Sequence, residues 1–228
     1  MSIQHNRDCD EKKRSWRVGF MGFVVLTVVM VLSAACQSPH KKWANAQGLR
    51  VNEHDENGLT LMHLAAGVPH SIPGHPGAPA TLVEWLKSRG AEVNARDNAG
   101  RTPIFVAVEA GNWTTVWHLI AQGADVNARD DAGQTPIFTA VAQGTTSYNT
   151  AASIQLLFDH GAEVDTRDHA GRTPMFAAAG GTTPRLIMEY LLKFGADINA
   201  RDHAGLTPLS VVQDEKLRTW MTEHGARE

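Results

Sequence analysis

Histidine and cysteine are the side chains best suited to metal ligation or nucleophilic attack, and this chain has eleven of the first and two of the second. His70 and His75 lie five apart in the proline-rich stretch "GVPHSIPGHPGAPATL", residues 67–82. Two imidazoles so placed can bind a metal ion, but no cysteine or carboxylate stands close by in sequence to complete a donor set. His169 and His203 occupy equivalent positions in successive turns. Such turns lie one structural unit apart, too far for a compact metal site, so both histidines read as exposed recognition residues. No Gly-x-Ser-x-Gly elbow, His-Glu-x-x-His pair or phosphate loop occurs. The reading is non-enzymatic, with no catalytic residue, no metal residue and no cofactor. Formal net charge is −3, so no basic footprint points to nucleic acid. Cys9 and Cys36 are too few for a disulfide framework.

Cys36 has a different context. Arg7, Lys12, Lys13, Arg14 and Arg17 precede an uncharged run from Val18 to Leu32, and "LSAAC" closes it. A positive region, an apolar region shorter than the roughly 20 residues of a spanning helix, and small residues at the end make a signal peptide. A membrane anchor is the alternative. "LSAAC" resembles the lipobox of bacterial lipoproteins, with Ala34 and Ala35 before Cys36; it departs from that pattern in placing Leu32 one residue early and Ser33 in the usual leucine position. The resemblance implies cleavage before Cys36 and acylation of its thiol and amino group, palmitate being one expected chain. Gln37 stands where an aspartate retains such proteins at the inner membrane. The implied location is therefore the bacterial outer membrane, lipid-anchored and facing the periplasm. The segments expected are a signal peptide over 1–35, a lipidated cysteine and tether over 36–45, and a folded domain over 46–226.

That domain is repetitive. "NARDNAGRTPIF" starts at Asn94, "NARDDAGQTPIF" at Asn127, "DTRDHAGRTPMF" at Asp165 and "NARDHAGLTPLS" at Asn199; a weaker copy, "NEHDENGLTLMH", starts at Asn52. The turn aspartates Asp55, Asp97, Asp130, Asp168 and Asp202 are separated by 42, 33, 38 and 34 residues. Each aspartate suits its own turn, and a glycine three residues on supplies positive φ. Thr102 is placed as a helix N-cap with Pro103 at the first helical position. Ile104, Phe105, Ala107 and Val108 then form a short buried helix, which Gly111 breaks. Val116, Leu119 and Ile120 carry the apolar stripe of a second helix, ended by Gly123. One such unit cannot bury both faces, so stacking must supply the core.

A period near 33 with a Thr-Pro-centred motif resembles the ankyrin repeat. The resemblance implies an all-α ankyrin-repeat solenoid of about five units with capping ends. The units fall near 55–96, 97–129, 130–167, 168–201 and 202–226, and "AQGLRVNEHD" (46–55) reads as the tail of an N-terminal half repeat. The third unit carries extra residues around Thr145 to Thr150, and Pro184 opens the second helix of the fourth. The fifth is shortened, with a polar outer helix fit for a cap. His63 keeps the family histidine, which hydrogen-bonds between repeats. Phe105, Phe138 and Phe176 replace it, trading that bond for apolar burial.

Ankyrin stacks resemble one another in binding proteins on the face built from turn tips and first helices. The matching candidate residues are Asn98 and Arg101, Asp131 and Gln134, His169 and Arg172, His203 and Leu206 on the turns, with Glu109 and Gln143 on the inner helices. Trp117 falls at a position usually facing solvent; a contact anchor is one reading, packing on the neighbouring unit the more frequent one. The 67–82 insertion lies on a loop face, either binding or inert. By analogy, small periplasmic repeat lipoproteins resemble immunity proteins that neutralise periplasm-acting toxins, type VI phospholipase effectors among them. The alternative is a scaffold or stress-protection factor supporting an enzyme such as catalase, with a His70/His75 metal-dependent enzyme third.

Overall fold

The computed structural model describes residues 39–67, 79–142, 148–181 and 184–228. The region expected to be signal peptide, Cys36, His70, His75 and Gln143 lie outside the described residues. The chain divides into two units, residues 1–46 and 47–228. In the first, helix α1 spans Pro39–Ala46, so the stretch expected as a tether carries a helix. Among the described residues, no helix is long and apolar enough to cross a membrane.

The second unit is a stack of helix pairs. Its helices are α2 (Leu61–Ala66), α3 (Pro79–Ser88), α4 (Pro103–Glu109), α5 (Trp113–Ala121), α6 (Pro136–Ala142), α7 (Tyr148–Asp159), α8 (Pro174–Ala179), α9 (Pro184–Lys193) and α10 (Glu215–Glu223), with a 3-10 turn at Pro208–Val211 before α10. Pairs α2/α3, α4/α5, α6/α7 and α8/α9 pack within units. The first helices α2, α4, α6, α8 and the 3-10 turn form one packed row, and α3, α5 and α7 a second. This is the expected all-α solenoid. Ile104, Phe105, Ala107, Val108, Val116 and Leu119 are buried as the pattern required, while Ile120 is only half-buried. Gly111 and Gly123 take φ of 63° and 92°, the helix-ending conformations expected of them. The fifth unit is shortened further than expected, its first helix reduced to the 3-10 turn.

The recurring "NARD" string explains why the units stack. Its asparagine reaches the end of the next helix pair. Asn94 accepts from the Asp125 N–H at 2.9 Å and donates to the Gly123 carbonyl at 3.0 Å. Asn52 makes the same pair of bonds with Glu92 and Gly90, Asn127 with Glu163 and Gly161, and Asn199 with Arg227 and Gly225. The alanine is buried because neighbouring units close on it: Ala95, Ala128 and Ala200 are all core residues. The arginine crosses to the following turn. Arg96, Arg129 and Arg167 donate to the carbonyls of Arg129, Arg167 and Arg201 at 2.6, 2.7 and 2.6 Å. The aspartate serves its own turn, as described below.

Two departures from the pattern have local consequences. At Asp165 a carboxylate replaces the asparagine. It still accepts from the Asp197 N–H, at 3.1 Å. Ionised, it cannot make the donation that Asn94 makes to Gly123, and the corresponding Gly195 carbonyl loses that partner. Partial burial and the neighbouring Asp197 carboxylate raise the Asp165 pKa above the usual carboxylate value, against the opposing pull of the Asp197 N–H.

The second departure is phenylalanine for histidine. His63 Nδ1 accepts the Thr60 N–H at 3.2 Å and lies 3.0 Å from the Thr60 hydroxyl, while Nε2 lies 3.0 Å from the Arg101 carbonyl of the next unit. An N–H on one side and a carbonyl on the other require the neutral ring protonated at Nε2. Burial lowers its pKa in keeping with that state. Phe105 and Phe176 cannot take a hydrogen bond. Accordingly the Thr102 and Thr173 hydroxyls, buried at the N-caps of α4 and α8, have no partner. Thr102 holds the N-cap position expected of it but makes no side-chain cap bond. Thr135 escapes because Thr166, which replaces the buried alanine, meets its hydroxyl at 3.1 Å.

These contacts set two stability predictions. Asp165→Asn restores the missing donor and is expected to raise unfolding free energy by about 1 kcal/mol at neutral pH. A carboxylate whose pKa is raised by folding destabilises while ionised, and the penalty fades as pH falls through the folded pKa. The advantage of the variant is therefore greatest at neutral pH and gone below the unfolded value near ~3.9, which denaturant melts across pH would show. Thr102→Val removes only an unpaired hydroxyl and is expected to leave stability unchanged or raise it by up to about 1 kcal/mol. Thr60→Val breaks the His63 pair and is expected to lower it by about 1–2 kcal/mol. Equal losses in the two variants would overturn the link between the phenylalanines and the orphaned hydroxyls.

Candidate functional site

The turn tips and first helices present the chain's most regular surface. In each turn the aspartate Oδ1 accepts the N–H groups two and four residues on. For Asp97 these are Ala99 at 2.9 Å and Arg101 at 2.8 Å, and Asp168 binds Ala170 and Arg172, both at 2.9 Å. Asp55, Asp130 and Asp202 do the same. A carboxylate accepting two N–H groups fixes the loop without help from a partner.

The tips then join one another. Asn98, Asp131, His169 and His203 donate their N–H to the carbonyls of Asn57, Ala99, Ala132 and Ala170 in the preceding turns, at 3.1, 3.0, 2.9 and 3.0 Å. Their side chains stand over the preceding glycine. A Cβ placed on Gly133 would come within 2.6 Å of the His169 ring, and one on Gly171 within 2.5 Å of the His203 ring. These four expected recognition residues are exposed. The same backbone bond holds each at the same place in the row, so asparagine, aspartate and two histidines stand on a constant frame.

The remaining candidates divide. Arg101 is bound on both sides, to Asp97 at 3.1 Å and to Glu109 of α4 at 3.2 Å. Arg172 pairs with Asp168 at 2.8 Å and stays 51% exposed. Gln134, Asp168 and Arg172 share a hollow of about 250 Å³ with Phe138, Phe176, Ala177, Gly180 and Val211. Asp131 is held by Arg96 at 2.9 Å. Leu206 is 46% exposed at the end of the row. Gln143 lies outside the described residues, and the register matters here: aligning Pro103 with Pro136 pairs Glu109 with Ala142, not Gln143. The motifs of the single repeats do not point to the hollow. Its signal was available in the same register, which aligns Glu109 with Gly180.

Trp117 is exposed rather than packed, at 46%, with its ring edge-on to His118 at 4.7 Å. Its neighbour makes the contact between units instead: His118 Nδ1 lies 3.1 Å from Glu84 of α3. Among the described residues, no group of three or more histidine, cysteine, aspartate or glutamate side chains is placed to hold a metal ion.

Family models for ankyrin repeats match residues 31–130 and 74–168 as three-copy arrays and residues 170–203 as a single repeat. An ankyrin repeat-containing protein of Schizosaccharomyces pombe is 39% identical over 59 residues, which is 26% of this chain and 24% of that protein. The chain thus spans about a quarter of the length of this relative.

Gly171 and Gly205 separate the two demands on the turn glycine, because their φ angles are 78° and 79° yet only Gly171 lies beneath another turn. Gly205→Ala is expected to cost about 1 kcal/mol, the backbone penalty alone. Gly171→Ala should cost about 2–3 kcal/mol, since the His203 N–H lies only 2.9 Å from the added carbon. Thermal unfolding of both variants measures the difference, which is the contribution of tip stacking.

Proposed function

The chain belongs to the ankyrin-repeat family, and on that premise we propose that it is a non-enzymatic protein-binding module held by a lipid on Cys36 at the periplasmic face of a bacterial outer membrane. The observation that carries the binding role is the row of turn tips. Asn98, Asp131, His169 and His203 share one backbone bond and one stacking position, yet present three side-chain types of different charge and shape, histidine twice. A frame that is the same in every unit, carrying side chains that are not, is what a reading surface requires. The membrane attachment is carried by the sequence "LSAAC" after an uncharged run. More than one acyl chain makes such anchoring stable.

The partner class proposed first is a periplasm-acting toxin of the phospholipase type, with this chain as its immunity protein. Support for it is analogy with other small periplasmic repeat lipoproteins. A tether would hold the inhibitor at the surface such a toxin attacks. Cleavage before Cys36 leaves 16 basic and 21 acidic residues, a net of −5, which favours a basic partner over an acidic one at long range.

Two measurements test the proposal. Metabolic labelling with a palmitate analogue should mark the parent chain and not Cys36→Ser, and the variant should leave the membrane fraction. Unchanged labelling and fractionation would sink the anchor. Capture on the full chain in detergent, against periplasmic extract and the products of adjacent genes, should return one stoichiometric protein. If that protein is a hydrolase whose activity the bait suppresses, the immunity role is established. Capture of a non-toxin enzyme would replace immunity with a scaffold role.

A further inference from the structure

The second and fourth units carry the same arginine in the same turn, Arg101 and Arg172, and each guanidinium is gripped by its own turn aspartate. They differ on their other side. In the second unit the first helix ends in Glu109, whose carboxylate meets Arg101 Nη1 at 3.2 Å. Aligning Pro103 with Pro174 puts Gly180 in that place. Among the described residues, Arg172 has no second carboxylate. It is correspondingly more exposed, 51% against 35% for Arg101. Where the glutamate would stand, the surface opens into the hollow of about 250 Å³, whose apolar lining is Phe138, Phe176, Ala177 and Val211 and whose only carboxylate is Asp168, already bound to Arg172.

The second unit thus shows what a filled site looks like, and the fourth unit lacks the filling group. We propose that the fourth-unit hollow receives a partner segment presenting a carboxylate beside a branched or aromatic apolar side chain. The carboxylate takes on Arg172 the place that Glu109 takes on Arg101, and the apolar side chain lies on Phe138 and Phe176 against Val211. Gln134 at the rim offers an amide to the partner backbone. A guanidinium with an open edge favours a carboxylate oxygen over a neutral acceptor. The apolar floor next to it adds burial that a free anion cannot use, which selects a peptide over a small acid. This local preference for an acid sits on a chain of net negative charge, so it concerns one contact and not the partner's overall charge. The inference rests on the protein-binding reading above and specifies one part of that surface.

Gly180 allows a direct test. Its φ is −88°, open to any residue, and an added Cβ would meet nothing closer than the Ala177 carbonyl at 3.9 Å. Gly180→Glu therefore installs an internal carboxylate without backbone strain, and Gly180→Gln adds the same bulk without charge. The full chain in detergent micelles is used to select from a displayed library of random peptides, and the selected peptides are titrated against the parent and both variants. The expected result is enrichment of aspartate or glutamate next to a large apolar residue. Affinity should then fall about tenfold or more in Gly180→Glu and clearly less in Gly180→Gln, with unchanged melting. Selected peptides without an acidic residue, or equal losses in the two variants, would overturn the inference. Peptides that bind the turn-tip face near Asn98 and Arg101, unaffected by Gly180, would overturn it and leave the protein-binding reading standing. A library that yields no binder to that face would overturn both.

Discussion

In each repeat one carboxylate oxygen accepts two backbone N–H groups of its own turn, and the stack is organised around that bond. Asp97 and Asp168 are almost wholly buried while doing so, with side chains 2% exposed. Once the aspartate has closed the turn, the glycine must take positive φ and the tip carbonyl must point outward along the stack. The next turn then has a fixed acceptor for its own N–H and a flat glycine for its own side chain. Without that geometry the arginine of "NARD" would have no fixed turn carbonyl to reach. Stability therefore passes from unit to unit through nearest neighbours, as in other repeat arrays.

Within this frame, substitutions are tolerated when they are offset locally. Phenylalanine at 105, 138 and 176 replaces a hydrogen-bonding ring with a larger apolar one. Phe105 is fully buried, and burying a side chain of that size contributes about 2–3 kcal/mol. That is comparable with the cost of about 1–3 kcal/mol for an unpaired buried hydroxyl. In the third unit the Thr135–Thr166 pair removes even that cost. Asp165 differs, since among the described residues no other donor takes its place at the Gly195 carbonyl. The fourth unit thus holds an orphaned threonine and the opened arginine, and the third ends in a carboxylate with a raised pKa. The first helix of the fourth unit is also short, six residues of which the last three are alanine.

Separation between frame and surface is what makes a binding role fit this fold. Groups that set the frame, Asp97 or Arg129 for example, are consumed by internal bonds. Arg101 and Glu109 show how easily an apparent contact residue is consumed as well: paired with each other, they offer less to a partner than their types suggest. His169 and His203 keep their rings exposed on a fixed backbone. Such presentation lowers the ordering cost that a partner must meet on association.

The sequence by itself determined the architecture. The period, the glycine three residues after each aspartate and the Thr-Pro helix starts are local signals, and each acts within a few residues of where it is read. It also placed the turn candidates on one face, and it marked Cys36 by its neighbours alone. Which candidates are free and which are spent was decided by the tertiary structure. That Arg101 is closed and Arg172 open depends on a residue eight positions away on a helix end, and on whether that residue is Glu109 or Gly180. Trp117 is left exposed, while its neighbour His118 makes the contact to Glu84 of the preceding unit. The hollow exists only because two turns, two first helices and Val211 meet around a missing side chain. Such absences are set by packing between units, and no single repeat read along the chain carries them.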